Sequence, residues 1–141
     1  MAIPTFGDPL AYVVALIQAA IPSAIVTSDP QRHSEFTKVD SNTEFVLVQD
    51  QGGSTPSFLL QTNVRFEVIS FTHRTNPISP LVFAQTIQRA IYMAAFNQTV
   101  YADGHARRPR TEVRPYVQAI SGMPAEVKRC SATYTIGYRS R

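Results

Sequence analysis

The sequence predicts an α+β fold: a mainly antiparallel sheet of about four strands, two helices packed on one face, and long loops between the strands. Three observations carry this prediction. Two stretches open with a capping residue and a proline, then repeat apolar residues at helical spacing. The segments between and after them are rich in β-branched and aromatic residues and alternate with period two. The last two such segments are separated by a short turn, as in a hairpin. At 141 residues the chain has the length of one ordinary domain, so residues 1–141 are read as a single unit. A chain this long buries about two-thirds of its unfolded surface and needs neither metal nor disulfide to fold.

Asp8-Pro9 starts the first helix. Aspartate accepts from the free amides of the first turn, and proline at the first helical position gives up no needed donor. Leu10, Val13, Val14, Ile17 and Ile21 then share one face, and Pro22 stops the helix. Residues 24–27 read as a short strand and the polar stretch 28–42 as a loop. Residues 44–49 form a strand, and 50–57, with Gly52-Gly53 and Pro56, an exposed loop. The clearest strand is 62–71, with Val64, Phe66 and Val68 on one side and Arg65, Glu67 and Ile69 on the other. One side is apolar and the other mixed, as in a sheet with one covered face.

Ser79-Pro80 repeats the cap-plus-proline signal and opens a helix to about Phe96, with Leu81, Ala84, Ile87, Ile91 and Ala94 as its stripe. Residues 101–111 read as a polar, basic loop around Asp103-Gly104. Residues 112–121 form a strand in which Pro115 cannot donate to a ladder, which places it at an edge or a bulge. Gly122-Met123-Pro124 is a turn. The final strand, 127–138, sets Cys130, Ala132, Tyr134, Ile136 and Tyr138 on one face.

The apolar fraction of 44% and charged fraction of 16% are those of a globular chain. Charge is unevenly placed. Residues 1–100 hold five Lys/Arg against seven Asp/Glu, and residues 101–141 hold eight against three, so a net of −2 is followed by a net of +5. Charge concentrated on a short segment usually faces a partner. The opening residues lack a basic region, which argues against a secretory signal, and the apolar-leaning run 10–25 is too interrupted to span a membrane.

No reaction centre is legible. Cys130 is the sole cysteine, which excludes an internal disulfide and a cysteine-based zinc site, and its mid-strand position reads as a buried residue. His33, His73 and His105 lie in or beside polar stretches, without the paired spacing of a metal site. Gly52-Gly53-Ser54-Thr55 lacks the following lysine of a phosphate loop. No catalytic residue, cofactor or metal is assigned. The sharpest feature is Arg107-Arg108-Pro109-Arg110. Guanidinium groups bond in bidentate fashion to carboxylates and phosphates, so the cluster reads as a contact with an acidic partner protein, a contact with nucleic acid, or a solvated loop. Phe58 and Leu59 follow the Gly-Gly stretch and read either as core strand residues or as an apolar contact for a neighbouring subunit.

Four segments together resemble the tail-terminator (tail-completion) proteins of long-tailed bacteriophages: the helix beginning Asp8-Pro9-Leu10, the strand 63–70 leading to the helix 81–91, the long loop and hairpin, and the last strand 130–138. The resemblance covers nearly the whole chain and carries no position-specific motif. It implies a non-catalytic homohexameric ring at the head-proximal end of the tail, assembled in the host cytoplasm. Its partners would be the tail tube protein and the head–tail connector or stopper, with genomic DNA passing through the lumen unbound. Other head-to-tail joining proteins fit the same layout. A nucleic-acid-binding module and a small hydrolase or transferase are the competing classes. Basic residues confined to loops fit assembly, whereas a basic sheet face with exposed aromatics fits RNA.

Overall fold

The computed structural model describes residues 8–54, 61–118 and 125–140. Helix α1 (Pro9–Ala20) begins where Asp8 accepts from the Leu10 amide at 3.0 Å. It ends where the Ile21 amide bonds Ile17 O, and the Gln18 side chain donates to Ala24 O at 2.8 Å, closing the turn that Pro22 forces. Strand β1 (Ile25–Thr27) follows and runs parallel to β2 (Phe45–Ser54). Between them Asp29-Pro30 starts a 3₁₀ helix over Pro30–Lys38, with Asp29 accepting from the Gln31 amide at 2.9 Å. Residues 28–42, expected as loop, are therefore largely helical; no apolar stripe announces a turn-by-turn structure held mainly by its cap and by Phe36.

Strand β3 (Gln61–His73) pairs antiparallel with β2 on one side and with β5 (Val127–Ser140) on the other. Helix α2 (Pro80–Phe96) has the predicted bounds, with Ser79 accepting from the Val82 amide at 3.3 Å. Strand β4 (Gly104–Gln118) lies outside β5, so the order is β1-β2-β3-β5-β4. The fold is α+β, with a five-stranded, mostly antiparallel mixed sheet in place of about four strands. The additional strand is β1, the short strand read at 24–27, whose parallel pairing with β2 across a 3₁₀ helix no local pattern announces.

Two further expectations are corrected. The strand β2 continues to Ser54, so the predicted loop at 50–57 is strand in its first part. A bulge between Asp50 and Gly53 absorbs the glycines. Gly53 has φ +148°, and a Cβ there would collide with the Asn63 carbonyl, so only glycine fits. The basic loop expected at 101–111 is instead the start of β4. Ala102 and Asp103 turn the chain with φ of 47° and 60°, and Tyr101 and Gly104 exchange two backbone bonds of 3.0 Å. Pro115 falls on the edge strand beside a register slip between Val113 and Tyr116, as its missing N–H required.

Alternation sorts the strands into two cores. Val64, Phe66, Val68, Ala132, Tyr134, Ile136 and Tyr138 join Tyr12, Val13, Leu16 and Ile17 of α1 and Phe83, Ile87 and Ile91 of α2. The opposite parity supplies a smaller core of Phe45, Leu47, Ile69, Phe71 and Val127, against which Phe36 of the 3₁₀ helix packs. Phe36 stacks on Phe71 at 5.3 Å, which explains why the mixed side of β3 turns apolar at Ile69.

Candidate partner-binding edge

The arginine cluster lies on β4, the outermost strand, and its backbone is irregular for a local reason. Arg107 pairs with Gly137 and Arg110 with Thr135, so β4 spends one residue more than β5 over this step. Pro109 has no amide to give, and Arg108 takes a left-handed conformation with φ 50°. Two further slips, at Thr111/Val113 and Val113/Tyr116, follow along the same strand. Each bulge re-aims the side chains beyond it.

The side of β4 that meets α2 and the main core is fixed. Ala106 is fully buried in the main core, and the Thr111 hydroxyl meets the Tyr92 hydroxyl at 2.8 Å and the Gln88 amide at 3.3 Å. Tyr138 lies against Gly104 and donates to Ala102 O at 2.9 Å, pinning the strand's start. Arg108, Arg110 and Arg114 are exposed and Arg107 is half-buried. Arg110 stands 3.7 Å from Glu112 with its side chain 75% exposed, a contact that water screens to little energy. Among the described residues Arg107, Arg108 and Arg114 have no ion-pair partner. Four guanidinium groups thus project from an anchored strand with little internal neutralisation.

Exposed apolar side chains occur on the same strand and on α2. Val113, Tyr116 and Val117 lie on β4 itself, and Leu81, Val82, Met93 and Phe96 lie on α2, with Phe96 83% exposed. Leu81, placed on the stripe of α2 by its spacing, is instead exposed in the first turn of the helix, and for the others periodicity identifies the buried face and says nothing of what the opposite face presents. A shallow groove of about 250 Å³ separates the ends of the two helices, lined by Leu16, Ala20, Met93, Asn97 and Tyr101. Phe58 and Leu59, expected as an apolar contact, lie outside the described residues.

The remaining chemistry-bearing residues do not converge. Cys130 is buried and burial pushes its thiol up to about 11, so it stays protonated near neutral pH. Tyr134 and Tyr138 are buried with Ile136 and Ala132, and burial raises both phenols. His33 is a correction: it is not a solvated loop residue but packs 5.7 Å from Phe71 and 5.5 Å from Phe36, ring to ring. His73 bonds Thr75 locally at 2.7 Å. Among the described residues no three His, Cys, Asp or Glu side chains are placed to hold a metal ion. No described helix is long and apolar enough to cross a membrane. No protein-family model matches the chain, and a search of curated proteins finds no match.

Proposed function

We propose that this chain is a non-catalytic structural subunit of a long-tailed phage. In this reading it forms a ring, of six copies by the family resemblance, that caps the tail tube and joins it to the head connector. The two helices packed on one face of the sheet would leave the edge strand free for partners. The observation that carries the reading is β4: a firmly anchored edge strand on which Arg107, Arg108 and Arg114 have no ion-pair partner among the described residues, Arg110 has only a screened one, and Val113, Tyr116 and Val117 are exposed. Arginine, tyrosine and methionine are enriched in protein interfaces, and desolvated arginine–carboxylate pairs specify partners. DNA would pass through the lumen without specific binding, and the protein would reside in the virion after assembly in the host cytoplasm.

The reading predicts that charge reversal at Arg107, Arg108 and Arg110 abolishes joining of tails to heads in an in vitro assembly assay while circular dichroism stays unchanged. Normal joining by the triple variant would overturn it. One observation favours a second reading. The arginines sit on a strand, not on loops, and Tyr116 is 42% exposed among them, as in a nucleic-acid-binding surface. The burial of Tyr134 and Tyr138 weighs on the other side, because it removes the stacking platform from the sheet face. DNA affinity falling steeply with salt, measured on the isolated chain, would promote this alternative.

A further inference from the structure

The two edges of the sheet carry opposite charge. Residues 104–118, the β4 edge, hold four arginines against one glutamate, a net of +3. Residues 25–54, which build β1, the 3₁₀ helix and β2 at the other edge, hold five carboxylates against two cations, a net of −3. Two of those five are already occupied. Glu44 is buried and accepts from Ser23 at 2.8 Å and Asn76 at 3.0 Å, and Glu35 pairs with both Arg32 and Lys38. The other three, Asp29, Asp40 and Asp50, are exposed, and among the described residues none is in an ion pair. Each is oriented by a backbone amide, from Gln31 at 2.9 Å, Asn42 at 2.8 Å and Gly52 at 2.7 Å. The Asn42 amide holds the Asp40 carboxyl below its usual range, so that group is ionised at neutral pH.

We infer that the β4 edge of one copy docks on the β1–β2 edge of a second copy, its free arginines meeting Asp29, Asp40 and Asp50. Such a contact joins two different patches, so it propagates head to tail and closes into a ring when the rotation allows. This inference rests on the ring reading above and names its interface. The contact is made by side chains and not by a continued backbone ladder. Pro109 and Pro115 lack amides, β4 has three register slips, and β2 is bulged between Asp50 and Gly53. Bulges and charge at an edge are what prevent open-ended strand pairing. The edges therefore attract each other without templating a continuous sheet.

The test is the self-association of the full chain at low salt, followed by light scattering, with two charge-reversed variants. The first carries Arg107→Glu, Arg108→Glu and Arg114→Glu, which leaves the Arg110–Glu112 contact alone. The second carries Asp29→Lys, Asp40→Lys and Asp50→Lys. Each variant alone is expected to associate at least about tenfold more weakly than the parent chain. An equimolar mixture should regain parental association to within about threefold, because both junctions of an alternating ring again join opposite charges. Asp29→Asn, Asp40→Asn and Asp50→Asn keep the side-chain caps and test charge alone, should the lysine variant fail to fold; association unchanged from the parent would overturn the inference. Parental assembly by both reversed variants would overturn it and leave the ring reading standing. Weak association by both folded variants with no recovery on mixing would also overturn it. A parent chain that stays monomeric throughout, with tail tubes present, would overturn both.

Discussion

Gly104 and Tyr138 approach so closely that a Cβ at position 104 would overlap the phenol ring. The ring cannot swing away cheaply, because it is buried and its hydroxyl is bonded to Ala102 O. Gly104→Ala should therefore destabilise by about 2–3 kcal/mol, as overpacking does, with a lowered urea midpoint as the readout. Cys130 gives a second test, in pH. Its folded-state value is the raised one, so the stability linked to it is intact below the ordinary thiol value of 9.0 and is lost as pH rises towards about 11. Over that window the unfolded chain releases a proton that the folded chain keeps. The urea midpoint should fall with rising pH, and Cys130→Ala should make the fall shallower. An identical slope in the two proteins would show that the thiol does not contribute. The buried phenols of Tyr134 and Tyr138 are raised in the same direction, so their share of the loss comes at higher pH still.

At the scale of elements, β4 depends on α2 for its position. The Tyr92–Thr111 contact at 2.8 Å is a bond between two hydroxyls that joins the edge strand to the helix above it. Tyr92→Phe should cost about 1 kcal/mol and speed amide hydrogen exchange in β4 more than in β3. Equal exchange in both strands would mean that the edge is held by its ladder alone. The same strand shows where the sequence was hard to read. Helix α2 was legible because Ser79, Pro80 and the apolar stripe are all local signals. Strand β5 was legible because Cys130 through Tyr138 alternate without interruption. The stretch 101–111 reads as a loop because an edge strand has one unpaired side, where arginine and proline are tolerated and even protective. Only Ala106 marks its inner face, and one alanine is too little pattern to see. Pairing of β1 with β2 is parallel and spans a 3₁₀ helix, so nothing in the local pattern announces it. Of the candidate contacts, charge alone picked out Arg107, Arg108 and Arg110. Their bulge, the anchoring of their strand, the absence of an ion-pair partner for Arg107 and Arg108 among the described residues and the exposed contact of Arg110 with Glu112 are tertiary facts.

For the whole molecule, the charge asymmetry along the chain becomes an asymmetry between the two edges of one sheet. The sequence order puts the acidic elements first and the basic hairpin last, and the strand order sends them to opposite sides. Opposite edges of opposite sign favour head-to-tail association, and their attraction weakens as salt screens it. Whether the chain makes a closed assembly is therefore the decisive property. The most direct measurement is the mass of the purified protein by light scattering across a concentration series, with and without tail tubes. The expected result is a mass near six times 15.6 kDa, or a monomer that converts to that mass when tubes are supplied. A monomer at every concentration that ignores tubes and binds DNA in low salt would contradict it.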